Sequence, residues 1–294
     1  MGRRFLLINQ FYPPDPAPTG RLLHEVATEL VRRGHYVRVL CSRKEYGTGR
    51  DLGPSILVDG VDVRRVFRTP FDARRLRGRM ADDGLFLVRA ALGTVLRSPR
   101  VDLVLAATSP PLIGLVAALA HRCRGLAHAH WMMDVYPDVL EAHGWIQSGS
   151  ARGRALKSMA RFQFDRAALI LTLGPYMAER VALHLADRSS LQAVPLWSDL
   201  VPDAAALDAA AQMRRGRGWG DDDLVLLYSG NMGEGIDSAS FSRRRDSSVR
   251  TGPSGLSSAE ARGGARSRTT DGGTRKRGSI CCLTSRPREP RPAF

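Results

Sequence analysis

Through residues 1–235, apolar runs of strand length alternate with segments whose apolar residues recur every three or four positions; beyond residue 235 the alternation stops. Strand then helix, repeated, is the pattern of an α/β protein with a parallel sheet covered on both faces. Phe5–Asn9 is the first run, followed by the breakers Pro13, Pro14, Pro16 and Pro18. After Thr19-Gly20, the residues Leu22, Leu23, Val26, Ala27, Leu30 and Val31 mark one helical face, and Gly34 ends it. Val37–Cys41 and Val101–Ala106 predict further strands, with a helix over Pro110–Ala120. Ala167–Thr172 predicts another strand, with a helix from Pro175 to Ala186. A polar, Ala-rich helix over Ala204–Arg217 and a strand over Leu224–Tyr228 close the patterned part.

The charge follows the same division. Of a net charge of +15, +8 falls between Ile236 and the end, where 13 Lys and Arg face 5 Asp and Glu. No nucleic-acid module accompanies that excess, so nucleic acid is not expected as a partner. Residues 236–294 hold seven Leu, Ile, Val and Phe and show no period, which predicts a disordered basic tail. A shifted reading of the codons offers another account. Joining the last base of each codon to the first two of the next permits a His-containing segment from Ile236 and a helix-forming run over Arg243–Ser248. In the same register Leu256–Ala261 permits Phe-Val-Gly-Gly-Gly, and Ile280–Ser285 permits Asp-Leu-Leu-Pro-Tyr-Val. The expectation is therefore a frame lost near Gly235, with a second domain truncated after its first strand. The expected organisation is a domain over 1–200, a linker helix with the first strand and glycine loop of a second domain over 201–235, and the tail over 236–294. Cys41, Cys123, Cys281 and Cys282 have no metal or redox spacing. No apolar run approaches the roughly 20 residues of a membrane span, and the Phe5–Ile8 run is too short for a signal peptide.

Four segments carry candidate chemistry. Thr19-Gly20 ends a strand-to-helix loop, where free backbone N–H groups and the helix dipole suit an anion; an ordinary turn with Thr19 as N-cap is the plain alternative. Ala127–Asp138 packs His128, His130, Trp131, Asp134, Tyr136 and Asp138 into twelve residues. A strand there points both histidines to one face, but no third ligand is spaced to complete a metal site. Asp134 could orient a sugar hydroxyl or accept a proton, while either aspartate could instead cap a helix. Ser229–Gly235 is a glycine loop after a strand, a phosphate cradle in pattern. Arg64, Arg65, Arg68, Arg74, Arg75, Arg77 and Arg79 interleave with Val66, Phe67, Phe71 and Leu76, as a surface for anionic lipid or a phosphorylated acceptor, or as a solvated face.

Phe11-Tyr12-Pro13-Pro14, Thr19-Gly20-Arg21-Leu22-Leu23, Thr108-Ser109-Pro110-Pro111-Leu112, Asp134-Val135-Tyr136-Pro137-Asp138, Pro195-Leu196-Trp197-Ser198-Asp199 and Tyr228–Gly233 occur in that order. Together the run resembles bacterial glycosyltransferases of family 4, closest to the subgroup that builds exopolysaccharide and O-antigen units. The resemblance implies a GT-B architecture of two Rossmann-like domains, and retaining transfer from a nucleotide sugar to a lipid-linked or polysaccharide acceptor. It implies no cofactor and no essential metal, and a cytoplasmic place, peripheral at the inner face of the plasma membrane. By position, Asp134, Asp138 and His130 would be catalytic. Thr19, Gly20, Gly230, Asn231, Gly233 and Gly235 would bind donor, and Arg64, Arg65, Arg68, Arg74 and Arg75 would face acceptor or membrane. The family's two glutamates spaced by seven are absent after Gly235, where Glu260 and Glu289 are the only glutamates, so activity of this chain is expected to be impaired. A non-catalytic acceptor- or partner-binding protein is the alternative.

Overall fold

The structure, a computed structural model, describes residues 2–46, 48–66, 76–97, 100–147, 149–198, 201–220, 224–230, 249–250 and 279–285. The chain divides into two units, Met1–Trp197 and Ser198–Phe294.

The first unit is built on an eight-stranded sheet. In chain order its elements are β1 (Arg4–Ile8), α1 (Pro18–Arg32), β2 (Tyr36–Ser42), β3 (Ile56–Val58), β4 (Val61–Val66) and α2 (Leu76–Leu92). A π-helical turn, Gly93–Arg97, extends α2. Then come β5 (Leu103–Ala106), α3 (Gly114–Arg124), β6 (His128–Trp131), α4 (Asp138–Ala142), α5 (Ala151–Phe164), β7 (Leu169–Thr172), α6 (Pro175–Ala182) and β8 (Leu191–Ala193). The order across the sheet is β3-β4-β2-β1-β5-β6-β7-β8. Every pairing is parallel except β3 with β4. The expected parallel sheet is therefore present, with an antiparallel hairpin at one edge that the periodicity did not predict.

β1 lies at the centre and is buried on both sides, which is why Leu6, Leu7 and Ile8 run without polar alternation. Leu7 packs with Leu23, Ala27, Val37, Val39 and Val63 on the α1 side. Leu6 and Ile8 pack with Phe86, Ala90, Val104 and Val116 on the other. A third cluster, with Phe164, Ile170 and Val181, secures α5 and α6 to β7. Fully burying one such side chain is worth about 1.5–3 kcal/mol.

The topology creates one special crevice. The chain leaves β1 toward β2 and β4 on one side, then returns to β5 on the other. The loops after β1 and β5 therefore diverge at the carboxyl edge, where ligands of open α/β sheets bind.

In the second unit, Asp203 caps α7 (Ala204–Gly216) by accepting the Ala206 N–H at 2.7 Å. β9 (Leu224–Gly230) contains the strand expected over Leu224–Tyr228. It pairs antiparallel with β11 (Ser279–Ser285), which also pairs with β10 (Val249–Arg250). Asn231, Gly233 and Gly235 lie outside the described residues; Gly230 is the last residue of β9.

Candidate functional site

The crevice at β1 and β5 is a cross-braced structure. Asn9, fully buried at the end of β1, donates from Nδ2 to the Phe11 carbonyl at 2.7 Å. The Gln10 N–H donates to the Ser109 carbonyl at 2.7 Å, tying the β1 loop to the β5 loop. Thr108 then links β5 to β6: its Oγ1 donates to the Trp131 carbonyl at 3.0 Å and accepts the Met133 N–H at 2.6 Å. One hydroxyl thus fixes where the Met132–Pro137 loop starts. Three cis X–Pro bonds, Pro13-Pro14, Ser109-Pro110 and Tyr136-Pro137, fall in these three loops.

The β1 loop is held from below as well. Asp15, buried, accepts the Ala17 N–H at 2.8 Å and the Tyr46 N–H at 2.8 Å. Burial raises its carboxyl pKa, a rise these two N–H groups partly offset. Arg65 also points inward, donating to the carbonyls of Pro13 at 2.8 Å and Leu52 at 3.0 Å. This corrects its place in the exposed arginine stripe. On β4, Val61, Val63 and Arg65 share the buried face while Arg64 is exposed and pairs with Asp62 at 2.8 Å. Arg68, Arg74 and Arg75 lie outside the described residues.

Thr19 and Gly20 begin α1, but neither caps it. The N-cap is Ala17, with Pro18 at the first helical position and no side-chain cap. Thr19 Oγ1 is buried without a hydrogen-bond partner. Gly20 is where helix and loop touch: a Cβ there would lie 3.0 Å from the Phe11 carbonyl carbon and 3.1 Å from the Tyr12 nitrogen. Its missing side chain serves the loop's own backbone.

β6 does bring His128 and His130 to one face, with ring centroids 5.2 Å apart. Both are buried. Burial pushes the His130 pKa down to about 3, with the neighbouring His128 adding to it and the Gln163 carbonyl opposing, so the ring is neutral. His128 is shifted the same way by the same main cause. Among the described residues no group of three His, Cys, Asp or Glu side chains is placed to hold a metal ion. His130 lines a narrow pocket of about 10 Å³, the scale of one water, with Thr108, Leu112, Asp134, Tyr136 and Gln163. Its Nε2 has no partner.

The two aspartates part company. Asp138 opens α4 and is fully engaged: Oδ1 accepts from Arg180 at 2.6 Å and Oδ2 meets His184 Nε2 at 2.6 Å. Both partners sit at or just past the C-terminal half of α6, away from the strand ends where the loops converge. Asp134 is exposed at the pocket's rim and makes no hydrogen bond or ion pair with the described residues. The protein around its carboxyl nonetheless withholds enough water to raise its pKa.

Sequence reasoning missed Asn9, Thr108 and the Trp131–Trp197 pair. These indoles stack with centroids 5.7 Å apart, and Trp197 Nε1 donates to Glu25 Oε2 at 2.7 Å. That contact brings the end of the unit back over the β6 terminus and α1. A larger cavity, about 700 Å³, lies at the opposite, amino edge of the sheet beside Phe162, Arg166, Leu183 and His184.

A family model described as a glycosyl transferase 4-like domain matches residues 19–197. No curated protein matches. Among solved structures, that of Anabaena HepE in complex with UDP-glucose aligns at 13% identity over 74% of this chain and 50% of that one, with a TM-score of 0.44. The catalytic domain of starch synthase IV from Arabidopsis thaliana, bound to ADP and acarbose, aligns at 11% identity over 75% and 60%, TM-score 0.49. A glycosyltransferase from Rickettsia africae aligns at 10% over 73% and 50%, TM-score 0.37. The chain spans about half the length of the HepE chain. The family match takes in the β5 and β6 loops and ends at Trp197, where the first unit also ends; the chain belongs to the glycosyl transferase 4-like family.

Proposed function

We propose that Met1–Trp197 is the acceptor-side half of a GT-B glycosyltransferase that moves a sugar, with retention and without an essential metal, from a nucleotide sugar to a lipid-linked or polysaccharide acceptor. The observation that carries this reading is Asp134: an unpaired carboxylate at the rim of the crevice edge, beside loops locked by Asn9 and Thr108. A carboxylate so placed can accept a hydroxyl proton from an incoming sugar and orient the oxygen. Neutral His130 beneath it can donate or accept one hydrogen bond without adding charge. Departure of the nucleoside diphosphate needs electrostatic support, a role we propose for Thr19-Gly20 and for Gly230, Asn231, Gly233 and Gly235. We place the enzyme at the cytoplasmic face of the bacterial plasma membrane, in exopolysaccharide or O-antigen synthesis.

The tail 236–294 lacks the family's glutamate pair, so we propose weak donor binding and little turnover for this chain. Titration with a polyprenyl-linked sugar in detergent should show binding that Asp134→Asn weakens about tenfold, a loss of roughly 1.4 kcal/mol. UDP-, GDP- and ADP-sugars should show little transfer by mass spectrometry. A folded chain that binds no such acceptor refutes the reading. Sequencing across the Gly235 codon tests the frame: no shifted open frame there would refute that part alone.

A further inference from the structure

α5 and α6 both run out at the amino edge of the sheet, where β7 and β8 begin side by side. The cavity of about 700 Å³ lies between their two returning segments. That size falls in the roughly 300–1,000 Å³ range of small-molecule sites. Phe164 and Ala167, both part of the third core cluster, line it from the core side. His184 lines a wall; it is 8% exposed and fixed by Asp138 at 2.6 Å. Phe162 and Leu183 line it from the solvent side, 44% and 62% exposed, and neither belongs to that cluster. The cavity therefore has a fixed base and an apolar mouth that nothing in the fold requires.

The polar lining says what such a cavity takes. Its charges balance: Arg161 and Arg166 against Asp165 and Asp187. Asp187 is engaged by the Ser189 N–H at 3.1 Å and by the Ser189 hydroxyl. The side chains of Arg161, Asp165 and Arg166 make no hydrogen bond or ion pair with the described residues, although Arg161 and Asp165 stand one helical turn apart. A guanidinium only donates and a carboxylate only accepts. An anion entering here meets the aspartates, and a cation meets the arginines. A hydroxyl donates and accepts at once, so it can use both. The face of an aromatic ring is negative and receives polarised C–H groups, which a sugar ring carries on its flat side. We propose that this cavity is a glycan-binding site separate from the crevice. It takes a neutral oligosaccharide segment, with Phe162 as the platform and Arg161, Asp165 and Arg166 bonding its hydroxyls. The proposal stands apart from the sugar-transfer reading, because the cavity lies at the opposite edge of the sheet from Asp134 and its test measures no transfer.

The test is leucine-methyl NMR of the full chain, titrated with maltotetraose, cellotetraose, mannotetraose and galactotetraose. Leu183 and Leu185 both line the cavity, so their methyl signals report it and not the crevice. At least one of these neutral glycans should shift both signals saturably, with an affinity that salt leaves unchanged. Inorganic pyrophosphate should not shift them. Phe162→Ala removes the platform at a half-exposed helical position where alanine is the better helix former, and should weaken binding about fivefold. Arg166→Gly removes a guanidinium at a left-handed position, φ 56°, that glycine adopts freely, and should weaken it about tenfold. The two variants change different elements, so misfolding of one, seen by circular dichroism, leaves the other as the test. Absence of a shift with all four glycans would overturn the proposal. So would binding that survives both substitutions, or pyrophosphate shifting the signals in place of the glycans, which would make the cavity an anion site.

Discussion

Replacing His130 by Asn should flatten the acid side of this protein's stability profile. His130 is buried, and its pKa falls from an ordinary 6.5 to about 3. The unfolded chain therefore binds a proton that the folded chain refuses, and stability present above pH 6.5 is lost as pH falls toward the folded value. Between pH 7.5 and 5.5 the unfolded imidazole goes from about one-tenth to ten-elevenths protonated while the folded one stays neutral. Integration gives a loss of about 1.4 kcal/mol from this one group. The figure rests on the unfolded value alone, because pH 5.5 lies well above the folded one. His128 shifts in the same direction and adds to the decline. Guanidinium titrations at the two pH values, followed by the fluorescence of Trp131 and Trp197, measure it. His130→Asn should lower stability at pH 7.5 yet lose about 1.4 kcal/mol less than the wild type on going to pH 5.5. Equal losses in both proteins would show that His130 protonates freely in the fold and would refute the burial argument.

Thr108→Val orphans the Met133 N–H and should cost about 2–3 kcal/mol in denaturant midpoint analysis, with Thr108→Ser recovering most of it. Asp138→Ala leaves His184 without its acceptor and should cost about 1–3 kcal/mol, whereas Asp134→Asn should stay within about 0.5 kcal/mol because no described group leans on it; a costly Asp134→Asn would make that residue structural. Gly20→Ala forces a methyl against Phe11 and Tyr12 backbone at 3.0–3.1 Å. It should lower the melting temperature, the ~1–3 kcal/mol of overpacking exceeding the ~1 kcal/mol gained in helix propensity.

The central strands and α1 were legible because their apolar spacing reports burial directly. The β3–β4 hairpin was legible in principle. Val58-Asp59-Gly60-Val61 carries a two-residue turn signal, and both turn residues adopt positive φ, 48° and 77°. Ile56–Val58, only three residues long, is too short for its apolar pattern to predict a strand. Reading Arg64 and Arg65 as one patch ignored the two-residue period of β4, which sends them to opposite sides. α5 and β8 went unseen for another reason: α5 shows mostly polar residues to solvent, and β8 spans three residues. No local pattern could have paired Trp131 with Trp197, or Asp138 with Arg180 and His184, 42 and 46 residues downstream.

That last limit bears on how a reacting residue is told from a structural one. In the sequence, Asp134 and Asp138 are equivalent: two carboxylates in one loop, four residues apart. Folding separates them by what each oxygen already does. Both Asp138 oxygens are committed, Oδ1 to Arg180 on α6 and Oδ2 to His184 just past it, and turning either toward a substrate would strip one of those partners of its acceptor. Asp134 can form a new bond without breaking an old one, and its raised pKa shows a carboxylate short of solvation. A group in that state gains more than an ordinary surface carboxylate from a hydroxyl donor, since the new bond replaces hydration it lacks. The surrounding loops make the same point from the other side. Thr108 spends its hydroxyl on the Trp131 carbonyl and the Met133 N–H, so the loop that carries Asp134 is started by a group with little bonding capacity left for a ligand.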